Sequence, residues 1–144
     1  MLDFATNVEI KAPADRVWAV MRDVEHWPDW TPTVTRIRRI GDGPLAVGSR
    51  STVWQPKLLP ARWEVVELKD NDRTFTWMTR GPAMTLFARH SVEQTHDGSR
   101  ATLSLKFSGP LGGFFARLTR NLNERYLALE AQGLKQRSES GVHP

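Results

Sequence analysis

The chain has 144 residues, 40% hydrophobic and 25% charged, enough for one domain that buries about two-thirds of its unfolded surface. No cysteine is present, which excludes disulfides, thiolate metal sites and a cysteine nucleophile. Twenty basic residues against 16 acids give a net charge of +4. The densest basic group, Arg36, Arg38 and Arg39, is too small for a nucleic-acid surface and reads as a solvated strand.

The start, MLDFATNVEIKAPADRVW, carries Asp3 and Glu9 and lacks the basic-then-apolar order of a signal peptide. The apolar run at 17–21 falls far short of the ~20 residues of a membrane span. A cytoplasmic protein is expected.

Residues 4–10 alternate, with Phe4, Thr6, Val8 and Ile10 on one side, and predict a strand. Pro13 suits the first turn of a helix, and Val17, Val20, Met21 and Val24 form one apolar stripe behind it. The segment 23–30 reads as a short irregular helix that ends before Pro32.

Six further strands are predicted around Ile37, Val53, Val65, Trp77, Ala88 and Leu103, separated by Gly-, Pro- and Asp-rich turns. His96-Asp97-Gly98-Ser99 is the clearest hairpin turn, since Asp-Gly readily supplies positive φ. From residue 111, the spacing of Phe115, Leu118, Leu122, Tyr126, Leu129 and Gly133 predicts one amphipathic helix of about 25 residues. Residues 1–137 are expected as a single domain and 138–144 as a flexible polar tail.

One face of such a sheet must be covered, and the terminal helix has the only long apolar stripe. The opening VEIKAPADRVWAVMRDVEHWPDWTPTV, with its I-x-A-P-x-x-x-V-W entry and D-x-x-x-W-P-x-W turn, resembles the SRPBCC (START-like) superfamily. Within it, the similarity is to the polyketide cyclase/dehydrase and lipid transport group. The resemblance implies an α+β helix-grip fold: about seven strands of curved antiparallel sheet around a long C-terminal helix, with two short helices after the first strand. It also implies a cavity between sheet and helix that takes hydrophobic ligands.

Six tryptophans accompany a single tyrosine. The inward-facing set Trp63, Phe75, Trp77, Leu86, Leu105 and Phe107, with Trp30 from the turn and Leu122 from the helix, is expected to line the cavity. Gln55 and Tyr126 are expected to offer polar handles to a ligand.

His90 falls on an apolar strand face, where burial favours the neutral imidazole. Two roles stay open for it: a general base, or a core residue bonded to a backbone carbonyl. His90 and Tyr126 are thus the catalytic candidates if the protein is an enzyme.

The histidines form no metal-ligand spacing, no G-x-S-x-G elbow or Gly-rich phosphate loop occurs, and no inward carboxylate pair emerges. No metal and no cofactor are expected. The leading function is binding of a lipid-, quinone- or polyketide-like molecule; an aromatase/cyclase and a protein-interaction module are the alternatives. No nucleic acid and no integral membrane association are expected, and a homodimer is left open. The 27–30 turn, the 56–60 loop and the Gly81-Pro82 loop are expected to share the cavity entrance.

Overall fold

The computed structural model describes residues 3–140. Strands β1 (Asp3–Ile10), β2 (Arg36–Ile40), β3 (Arg50–Trp54), β4 (Ala61–Lys69), β5 (Thr74–Gly81), β6 (Met84–Gln94) and β7 (Ser99–Ser108) form one antiparallel sheet. Their order is β1-β7-β6-β5-β4-β3-β2. The helices are α1 (Ala14–Arg22), a 3-10 helix (Val24–Asp29), α2 (Gly112–Leu118) and α3 (Arg120–Ser140). All seven expected strands are present, and the architecture is the helix-grip fold.

The strand order creates the space for a site. β1 and β2 follow one another in sequence yet occupy opposite edges. The intervening residues must therefore cross the sheet, and they do so over its concave face. α1 packs its buried stripe of Ala14, Val17, Trp18 and Met21 downward. Its first turn carries Asp15, which favours a helix N-terminus and also pairs with Arg73 at 2.8 Å. The 3-10 helix then buries Val24 and Trp27.

A bulge between Val65 and Glu67 inserts one extra residue against β5 and leaves Val66 exposed. Val65 consequently lies in the core and Leu68 packs against it, although they are three positions apart. Such a bulge bends its strand and increases its twist, which helps the sheet to curve. At the β6–β7 hairpin, glycine is required for proximity: a β-carbon at Gly98 would overlap the carbonyl oxygen of Ile10.

Two expectations about the C-terminus need correction. The single long helix is two, because Thr119 interrupts it. Its hydroxyl donates back to the Phe115 carbonyl at 2.7 Å and accepts from the Asn123 amide at 2.8 Å, a local competition that bends helices. Secondly, the polar tail does not begin at 138. α3 runs to Ser140 because Ser138 is fully buried, its carbonyl accepts from Arg16, and Glu139 accepts from the Lys11 backbone at 2.8 Å. The rest of the expected tail, 141–144, lies outside the described residues.

Candidate functional site

Strand alternation builds the floor of a cavity. Val53, Trp63, Trp77, Leu86, Ala88, His90, Leu103 and Leu105 all line it from β3 to β7. Asn123, Tyr126, Leu127 and Glu130, spaced three and four residues apart, supply the α3 wall. Trp27 and Val34 close the crossing side, and Gln55 and Leu58 come from the β3–β4 loop. The cavity volume is about 80 Å³, partly open to solvent beside Leu58.

An aromatic cluster forms the deep end. Trp27 packs on Trp77 and on His90, each with ring centroids 5.3 Å apart, and Trp63 lies 5.5 Å from Trp77. The His90 ring stacks almost parallel on Phe75 at 4.3 Å. Its Nδ1 is buried without a well-formed hydrogen bond. Burial pushes the imidazole down to about 3, opposed only weakly by the Phe75 backbone. His90 is therefore neutral at pH 7, and as a base it is roughly 10³-fold weaker than a free histidine.

Glu130 is perturbed in the opposite direction. Burial pushes its carboxyl up to about 8, and a hydrogen bond from Thr33 only partly offsets this. The residue as a whole is partly exposed, and it fronts on the cavity it lines. At pH 7 the group is thus mainly the neutral acid, able to donate a hydrogen bond. One cavity holds a neutral acid and a neutral base whose proton affinities have been pushed apart, an arrangement that assigns donor and acceptor roles.

Tyr126 donates its hydroxyl to the Pro56 carbonyl, tying α3 to the β3–β4 loop across the cavity. Partial desolvation raises its pKa, so it too stays protonated.

Of the residues expected at the site, Gln55, Trp63, Trp77, Leu86, His90, Leu105 and Tyr126 line the cavity. Four do not. Phe75 faces the right way but is fully buried beneath Trp18, Trp27 and His90. Phe107 packs edge-on against Phe4 at 6.1 Å, under α2. Trp30 stands behind Trp27, with its carbonyl against Gly133. Leu122 is half-buried on α3, off the cavity.

Of the three segments expected at the entrance, the β3–β4 loop and the Gly81 hairpin border one surface groove. Trp27 of the 27–30 turn lines the cavity together with Gln55 and Leu58, whereas Gly81 and Pro82 do not line it. Glu130 and Asn123 were missed because polar residues on a helix read as solvent-facing; their phase with Leu127 and Leu134 is the signal that points inward.

Among the described residues, no group of three or more His, Asp or Glu is placed to hold a metal ion. No helix there is long and apolar enough to cross a membrane.

The family model described as "Polyketide cyclase / dehydrase and lipid transport" matches residues 1–139. No curated protein matches the chain. Among solved structures, the Zhui aromatase/cyclase from a Streptomyces species superposes with a TM-score of 0.80 at 16% identity, covering 99% of this chain and 96% of that one. A norcoclaurine synthase point mutant from Thalictrum flavum, in complex with a transition-state analogue, gives 0.78 at 17% identity over 99% and 96% of the two chains. A Thermus thermophilus protein gives 0.79 at 17% identity over 99% and 100%. At such identities these likenesses show the fold alone.

Proposed function

Because the chain belongs to the polyketide cyclase/dehydrase and lipid transport family, we propose that it binds a small, largely apolar molecule carrying a carbonyl or similar acceptor oxygen. The observation that carries this reading is the aromatic-walled cavity with the protonated Glu130 carboxyl at its edge. Apolar walls supply affinity, and one well-placed donor fixes orientation.

The closed volume of about 80 Å³ is well below the ~300–1,000 Å³ of sites for drug-sized ligands. A lipid, quinone or polyketide must therefore push the walls apart. The exposed β3–β4 loop, held to α3 by the Tyr126–Pro56 bond, is the part free to yield.

Three of the six tryptophans line the cavity, so occupancy should quench fluorescence. Titration with a flat aromatic ketone is expected to give saturable quenching, and native mass spectrometry of gently purified protein a bound small molecule. Neither signal appearing would sink the binding reading.

The opposed states of Glu130 and His90 favour one second reading, an enzyme of the cyclase/dehydrase type. Glu130 would act as general acid toward a leaving hydroxyl or an enolising carbonyl. Glu130→Gln should then abolish turnover while keeping ligand affinity; equal loss of both would leave only the binding role.

A further inference from the structure

Eight large apolar side chains are exposed among the described residues, and five of them gather at one end of the fold. Ile40 and Val47 lie toward the opposite end, and Val66 sits alone on its bulge. The five are Leu58 and Leu59 of the β3–β4 loop, and Leu111, Phe114 and Leu118 in or next to α2. Direct contacts tie these segments together. The Leu111 N–H donates to the Ala83 carbonyl of the β5–β6 hairpin at 2.9 Å, and Leu59 and Pro60 share a groove with Arg80, Gly81 and Met84.

α2 faces water with the wrong side for a packed helix. Leu111, Phe114 and Leu118, three and four residues apart, form one stripe that is 44%, 59% and 68% exposed. The opposite stripe, Gly112 and Ala116, is the buried one. Leu59 is 88% exposed. Single exposed leucines are ordinary; a cluster on three joined segments is not.

Charge on the same segments is one-sided. Lys57, Arg62, Arg80, Arg117, Arg120 and Arg125 are exposed there, and Glu124 is the only acid within 55–62, 79–85 and 109–125. None of these cations enters an ion pair among the described residues; the ion pairs use others, such as Arg73 with Asp15 and Arg100 with Glu9. Asp15, Asp42, Asp70, Asp72 and Asp97 lie at the other end.

We infer that this end is a docking face for an anionic lipid bilayer. Leu59, Phe114 and Leu118 enter the headgroup boundary while Arg62, Arg80 and Arg117 meet acidic headgroups. Either signal alone gives weak adhesion, and stable peripheral binding takes both. An acidic protein surface would satisfy the cations but leave three separate protruding apolar tips unmatched. Leu58 is exposed on this face and also lines the cavity. On the binding reading above, an apolar ligand would pass between bilayer and cavity without crossing water. The docking face itself does not depend on that reading, because vesicle binding is measured without any ligand.

The test is flotation of the full chain with vesicles of phosphatidylcholine alone or with about one-third phosphatidylserine. Recovery is expected with the anionic vesicles only, with release at ~1 M salt, where screening acts within ~3 Å. Combined Arg62→Gln, Arg80→Gln and Arg117→Gln should lower partitioning roughly 100-fold. Phe114→Ser with Leu118→Ser should likewise lower recovery with the anionic vesicles, because stable binding takes both signals. Both variants alter exposed side chains, and unchanged melting verifies that they are folded. Lys69→Gln, at the opposite end, should change nothing. No recovery with either vesicle, equal recovery with both, or indifference to the arginine variant overturns the proposal. So does binding of an acidic protein through the same residues without vesicle recovery, which would assign the face to a protein partner.

Discussion

His90 and Glu130 are both held neutral in one cavity, and this should shape the pH dependence of folding. His90 falls from 6.5 unfolded to about 3 folded. Between those values the unfolded chain binds the extra proton, so stability rises with pH. Glu130 rises from 4.5 to about 8. There the folded chain binds the extra proton, so stability falls as pH rises through that window. From about 4.5 to 6.5 the two slopes oppose and cancel. The expected curve is a plateau, falling below 4.5 and again above 6.5, by about 1.4 kcal/mol per pH unit on each limb.

Glu130→Gln removes one limb. At full strength, the shift from 4.5 to about 8 is worth about 5 kcal/mol, and water reaching the cavity side reduces it to roughly 2–5. The stability difference between variant and native protein should therefore change by that amount, in the variant's favour, from about pH 4 to 9. Urea unfolding followed by tryptophan fluorescence at each pH measures it. Taking the difference removes exposed groups common to both proteins, such as Glu139 and His26. Parallel curves above pH 6.5 would mean that Glu130 ionises like a surface carboxylate, and the argument for a neutral donor in the cavity would fail.

His90→Gln should flatten the acid limb and, at pH 7, lower stability by about 1 kcal/mol through loss of the Phe75 stack; thermal melts over the same pH range test it. Gly133→Ala should destabilise the protein by about 1–3 kcal/mol, because the added β-carbon overlaps the Trp30 carbonyl oxygen. That outweighs the ~1 kcal/mol alanine gains in helix propensity, so an unchanged or higher melting temperature would refute the close approach. Tyr126→Phe removes the bond from α3 to Pro56. It should leave stability within about 1 kcal/mol while speeding uptake of an apolar dye, as read by stopped-flow fluorescence.

Strand parity carried most of what could be read from the chain. It placed Trp63, Trp77, Leu86, His90 and Leu105 on the face they occupy, because a strand's side chains alternate whatever covers them. It could not say how deep a residue lies. Phe75 and Phe107 share that face yet lie under the helices rather than under the cavity, since cover depends on where α1 and α2 settle.

Helical phase was less legible. Apolar spacing selected Leu118, which is exposed, and Leu122 and Leu129, which are only half-buried. The buried stripe of α3 is Asn123, Leu127, Ala131, Leu134 and Ser138. Two of its five members are polar, and it continues the Gly112 and Ala116 stripe of α2 in phase, one position beyond the apolar spacing of Phe115, Leu122 and Tyr126. A glutamate beside such a stripe gives no hydrophobic signal at all. Gly133 falls on the apolar spacing, yet its role is to let the Trp30 backbone approach.

The same geometry links protonation to closure. The neutral states of Glu130 and His90 belong to the closed cavity, where burial dominates both groups. Parting the β3–β4 loop from α3 would admit water, returning Glu130 toward 4.5 and His90 toward 6.5. At pH 7 an open form would then carry an ionised Glu130 and a histidine protonated about a quarter of the time. A closed form would carry a Glu130 protonated about nine-tenths of the time and an unprotonated histidine. The ligand-free protein is the closed form, so a ligand that parts the β3–β4 loop from α3 should release between about one-half and one proton near pH 7. Calorimetric titrations in buffers of different ionisation enthalpy read that number directly, and Glu130→Gln should turn it into a small uptake. Binding with no proton release in the native protein would mean that the acid stays dry with the cavity open, or ionised with it closed. Either result breaks the connection between the carboxyl and the cavity.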